Sequence, residues 1–258
     1  MEVLTALALA ALGLAGGVIT AIVGGSSLII FPAMLAAGLP PILANTSSTV
    51  AMTPSNLVAA LADRESIPPW DRSFVGLMIV ALLGSVSGAI LLLYTSEAAF
   101  TALVPLLVGG ATLLFAFADH IKRFAGRHAR PLTVAGGASD AARVVMFVPI
   151  AIYGGYFGAA MGVMLLSILA LGHESDFRRI NAIKNILGSL VSVVAVAIFV
   201  WRGAVVWPQA LAVMAGATIG GYLGGRLVRV MPTALFRWIV IIVGAGLALV
   251  YAWRYWRM

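Results

Sequence analysis

The chain has 258 residues, of which 62% are apolar and only 10% charged, and its mean hydropathy is +1.08. A soluble domain carries roughly 45–50% apolar and about 25% charged residues, so this composition excludes a soluble enzyme, a nucleic-acid reader and a disordered scaffold, and leaves a multi-spanning membrane protein. The net charge of +7 then reads as cations gathered in cytoplasmic loops, and the absence of cysteine removes disulfide, thiolate and Cys-metal chemistry.

Charged residues punctuate the chain. Residues 1–15 hold Glu2 and no cation, which does not fit a cleaved secretory signal. No charge follows until Asp63, and the turn Gly38-Leu39-Pro40-Pro41 divides that interval into 3–38 and 43–62. The first piece is too long for one ordinary span of about 20 residues. Gly16-Gly17, Gly24-Gly25-Ser26-Ser27 and Pro32 interrupt it, which predicts a broken or re-entrant segment. The span 43–62 opens on five polar residues, Asn45-Thr46-Ser47-Ser48-Thr49. Spans within 73–96 and 98–118 follow, then a basic stretch, 119–142, holding Lys122, Arg123, Arg127 and Arg130.

The charge-free run 144–172 is a second long piece, interrupted by Gly154-Gly155, Gly158 and Gly162. Runs 185–201, 203–225 and 238–253 complete the spans. None alternates polar and apolar residues as a membrane barrel would. All six tryptophans, at 70, 201, 207, 238, 253 and 256, fall near span ends, where indole rings sit at headgroup level.

The two halves match. A shift of 136 residues superposes Asn45 on Asn181, Gly84 on Gly220, Gly88 on Gly224, Phe100 on Phe236 and Gly110 on Gly246. A shift of 138 superposes Gly16-Gly17 on Gly154-Gly155. The expected architecture is therefore all-α and polytopic. It comprises an N-terminal repeat (1–118), a cytoplasmic linker (119–142) and a C-terminal repeat (143–258), each repeat with about four helical segments. If each broken segment returns to its own side, the repeats are inverted. Thirteen of the 16 Lys and Arg then share the linker's side, leaving Arg202, Arg254 and Arg257 opposite. The positive-inside rule favours this over the ten-to-six split of full crossings.

The glycine-rich stretch from Gly16 to Pro32 resembles the opening motif of the TauE/SafE sulfite exporter family. Tyr153-Gly154-Gly155-Tyr156-Phe157-Gly158 through Gly162, Ile180-Asn181-Ala182-Ile183-Lys184-Asn185-Ile186-Leu187, and Gly216 through Gly220-Gly221 to Gly224-Gly225-Arg226 are similar to its later motifs. Ala160 and Val163 stand where the family is often richer in glycine. The resemblance implies a permease for small sulfur-containing anions, such as sulfite or sulfonates, in the bacterial inner membrane.

An anion at mid-depth needs donors, and N–H groups at helix starts supply them together with the helix dipole. Gly24, Gly25, Ser26 and Ser27 in one half, and Gly158 and Gly162 in the other, are the candidates. The spacing of Gly154, Gly158 and Gly162 also suits close helix packing. Asn45, Thr46, Ser48 and Thr49 either line the site with Asn181 and Asn185 or join helices by hydrogen bonds. Lys184 either attracts the anion or extends to the headgroups. Every Asp, Glu and His lies outside the span cores, so no intramembrane carboxylate or histidine relay is available, and a serine nucleophile at Ser26 or Ser27 would have no base but Lys184. No catalytic residue, cofactor, metal or nucleic-acid partner is called for. The expected partners are a small anion and lipid, with a homo-oligomer open.

Overall fold

The computed structural model describes residues 2–22, 26–62, 72–117, 138–170, 177–227 and 233–256. Among these residues all regular structure is α-helical. The first half contains α1 (Val3–Ile22), α2 (Ser27–Ala36), α3 (Pro41–Ala62), α4 (Arg72–Tyr94) and α5 (Glu97–Ala116). The second contains α6 (Ala138–Tyr156), α7 (Met161–Ala170), α8 (Phe177–Trp201), α9 (Trp207–Leu227) and α10 (Thr233–Trp256). Stretches of α1, α4, α5 and α8 (Val3–Thr20, Phe74–Tyr94, Glu97–Leu114 and Ala182–Trp201) are long and apolar enough to cross a bilayer. Many large apolar side chains on these helices, such as Leu83, Leu91, Leu106 and Val193, face outward. That surface suits lipid, as the composition demands.

Both glycine-interrupted pieces are broken where the sequence loosens. Each splits into a long helix and a helix of 10 residues, α2 or α7. At 1.5 Å per residue the short helices extend about 15 Å, half of a hydrocarbon core about 30 Å thick. The second break is a tight turn: the Phe157 and Gly158 N–H groups both donate to the Tyr153 carbonyl, closing α6, and Gly158 takes the left-handed conformation at φ 75°. Helix α6 begins at Ala138, inside the basic stretch 119–142, because the alanine-rich 138–142 continues the helical run. Helix α8 begins at Phe177, ahead of the start near Ile180 read from the sequence, and so places Lys184 two turns inside it.

The packing repeats across the two halves. Helix α1 lies on α9 as α6 lies on α4; α3 packs on α9 as α8 packs on α4; and α2 packs on α3 as α7 packs on α8. Helices α3 with α8, and α5 with α10, pair on themselves across the centre. Two of the pairs are backbone-close. A Cβ on Gly13 or Gly17 would strike the main chain of Val213 or Ala217, and one on Gly216 or Gly220 would strike Ala10 or Leu14. Gly88 and Gly155 are similarly set against Ile152 and Ser85. Such approach replaces the hydrophobic drive that lipid cannot supply.

These contacts fix direction. Residue numbers rise together in α1 with α9 and in α4 with α6, so both pairs are parallel. They run oppositely in α5 with α10 (Gly109 near Ala248, Gly244 near Thr112) and in α7 with α8 (Met161 near Gly188, Gly162 near Lys184). Helices α1, α3, α5 and α9 therefore start at one end of the bundle, here the near end, and α4, α6, α8 and α10 start at the far end. At the near end the Ile42 N–H lies 3.4 Å from the Glu97 carboxylate, and the Arg202 guanidinium donates to the Tyr94 hydroxyl at 3.3 Å while stacking on the Tyr94 and Trp201 rings. An arginine held between exposed aromatics is a headgroup-level anchor.

Candidate functional site

The two breaks are joined through an aromatic knot. Phe31 of α2 meets Phe157 edge-on at 5.3 Å and Phe100 at 6.5 Å, while Tyr156 and Tyr153 flank Phe100 and Phe157. Edge-to-face pairs contribute about 0.5–1.5 kcal/mol each beyond their burial, so the knot fixes α2 relative to the second break.

Helix α2 begins at Ser26, whose main-chain carbonyl accepts the first helical bonds from Ile29 and Ile30. Its hydroxyl is buried and paired with the Thr20 hydroxyl at 2.5 Å, and Thr20 also donates to the Gly16 carbonyl. Ser27 is half-buried in the first turn. Gly24 and Gly25 lie outside the described residues. Helix α7 begins after Ala160, whose carbonyl accepts from Val163 and Met164. Ala160 is the one described non-glycine residue with positive φ, at 60°, and this is a position where family members often carry glycine.

Lys184 comes to the start of α7. Its Cδ lies 3.7 Å from where a Gly162 side chain would begin, so the glycine leaves the lysine stem room to pass. The structure therefore brings Gly158, Gly162 and Lys184 into one region, with Asn185 following Lys184 and half-buried. Asn181 lies on the first turns of α8, and its side chain is outside the described set.

The polar run on α3 behaves differently. The Asn45 amide donates to the Tyr156 carbonyl at 2.9 Å, and the Thr46 hydroxyl donates to the Ala204 carbonyl at 2.5 Å. Ser48 and Thr49 donate back to the Ala44 and Asn45 carbonyls of their own helix. All these bonds end on main-chain oxygens, which joins elements and satisfies backbone at depth.

Three polar contacts were missed in the sequence reading. Ser47, buried, accepts from the Val206 N–H at 3.0 Å. Asn56 donates to the Ser192 hydroxyl at 3.3 Å, and Ser189 donates to the Asn56 carbonyl at 2.9 Å. Asn56 and Ser192 are separated by 136 residues, the repeat shift itself, so they meet at the centre of the α3–α8 crossing. That coincidence was the available signal.

The sequence matches the family described as "Sulfite exporter TauE/SafE" over residues 9–251. It is 26% identical over 233 residues to a probable membrane transporter protein of Haemophilus influenzae, covering 89% of this chain and 88% of that one. It is 25% identical over 246 residues to the probable membrane transporter protein YfcA of Escherichia coli K12, covering 89% and 82%. A probable membrane transporter protein, ORF9, of Sinorhizobium is also 25% identical, covering 90% and 87%. No solved structure matches. With lipid-suited helices and a family match across nearly its whole length, this chain belongs to the TauE/SafE sulfite exporter family of membrane transporters.

Proposed function

We propose that the protein is a secondary permease that exports a small sulfur-containing anion, sulfite or a sulfonate, across the bacterial inner membrane. The observation that carries this reading is the meeting of Lys184 with the first turn of α7, a half-length helix that starts inside the bundle. Free N–H groups and the positive dipole end at a helix start favour an anion, and an ammonium beside them adds to the attraction. Ser26 and Ser27 at the start of α2 complete the site from the other half. Asn45 and Thr46 support it by holding the second break and the α8–α9 loop.

The two sequence halves are read as inverted repeats. The segment α1–α2 leaves the near end and returns to it, and α6–α7 does the same from the far end. Taking the far end as cytoplasmic puts the stretch 119–142 and most cations inside, as positive-inside distribution requires. An anion leaving a negative-inside cell then moves down the electrical gradient by about 2.3 kcal/mol per charge per 100 mV. Outward movement needs no proton relay. The test is flux in proteoliposomes with an imposed potential: sulfite or a sulfonate should pass, faster when its starting side is negative. No flux across a panel of sulfur and carboxylate anions would overturn the reading.

A further inference from the structure

We infer that the near end of the transporter carries a hydrogen-bonded latch that the far end lacks, and that the site therefore opens by preference to the far end. This rests on the permease reading of the same site. Three consecutive residues of α3 reach into the other half. Asn45 holds the Tyr156 carbonyl at the second break, Thr46 the Ala204 carbonyl, and Ser47 the Val206 N–H. All three are buried, at 3%, 0% and 0% exposure, so no water competes for these bonds.

The 136-residue shift places Asn181, Ala182 and Ile183 of α8 at the matching positions of the far end. Ala182 is as fully buried as Thr46. The asparagine is kept, but alanine and isoleucine side chains have no hydrogen-bonding atom. The duplication has thus preserved one latch residue and removed two at one end only. A two-state protein with equivalent halves would favour neither face; unequal closure contacts bias it, and the bias equals their differential free energy.

The chain contains no cysteine, so a single introduced thiol reports without background. Ser27→Cys, at the start of α2, is the reporter, labelled by a membrane-impermeant maleimide from each face in intact cells and inside-out vesicles. Labelling should be faster from the far end. Adding Thr46→Val with Ser47→Ala should raise the near-to-far ratio about tenfold, roughly threefold for each interhelical bond lost. Thr46→Ser keeps the hydroxyl and should leave the ratio unchanged, which separates the bond from packing. Ser47→Ala alone, the mildest change, should give about threefold if the double variant is not monodisperse. An unchanged ratio in folded latch variants, or faster near-end labelling in the parent, would overturn the inference. Labelling needs no substrate, so a protein that fails every flux assay while showing the face bias would refute the permease reading and leave the latch standing.

Discussion

Ala160 and Ala159 are neighbours in the second break, and glycine at these two positions should act in opposite directions. Ala160 sits at φ 60°, where an L side chain crowds the following carbonyl at a cost of roughly 1–2 kcal/mol. Glycine removes that cost but adds about 0.5–1 kcal/mol of unfolded-state freedom, so Ala160→Gly should stabilise by about 0.5–1 kcal/mol. Ala159 is buried and has no positive φ. There glycine brings only the entropic penalty and the loss of a packed methyl, destabilising by about 1 kcal/mol. Thermal inactivation of detergent-solubilised protein, followed by the surviving monodisperse fraction, measures both. Ala160→Gly should melt above the parent and Ala159→Gly below it. If Ala160→Gly melts at or below Ala159→Gly, the left-handed turn is not how the chain enters α7, and the placement of Gly162 beside Lys184 loses its basis.

Gly88→Val forces a side chain into the Ile152 carbonyl and should abolish recovery of folded protein, whereas Gly246→Ala, with open space around it, should match the parent in size-exclusion yield. Lys184→Ala should weaken anion binding at least tenfold in thermal-shift titration while leaving abundance within about twofold, on the scale of about 1.4 kcal/mol for a tenfold change; equal losses of both would mark a structural lysine. A carboxyl-terminal reporter should register on the periplasmic face, because α10 ends at the near end; a cytoplasmic signal would reverse the assigned orientation.

Charge-free runs located nearly every helix, because a lipid-facing stretch excludes ionised side chains wherever it occurs. The breaks were legible for a related reason: glycine pairs next to Ser26 and Gly158 weaken a helix whatever surrounds them. The partner of each glycine was not. Gly17 and Gly155 announce close approach, yet nothing local says that the first meets α9 and the second α4, since that choice is made by the whole bundle. The role of Thr46 and Ser47 was hidden for the same reason: their partners are main-chain atoms of Ala204 and Val206, which every residue possesses and no motif marks. The Asn56–Ser192 contact was readable, because residues separated by the repeat shift face each other wherever the symmetry axis passes between them.

The close pairs also determine which parts can move together. Helix α1 belongs to the first sequence half but is sealed by main-chain contact onto α9, and α6 is sealed onto α4 in the reverse sense. Neither sequence half packs as a body of its own. Separating Gly17 from Ala217, or Gly88 from Ile152, would break many backbone-close contacts at once and open a void that lipid cannot fill at that spacing. The seam between the exchanged bodies is different in kind. It is the antiparallel α3–α8 crossing, bridged by Asn56, Ser189 and Ser192, together with the Asn45 bond to the second break. Side-chain hydrogen bonds of this sort exchange at small cost. Any alternation of access must therefore turn about α3 and α8 and carry α1 with α9 and α4 with α6, which is why a latch residue on α3 is placed where it can hold one end shut.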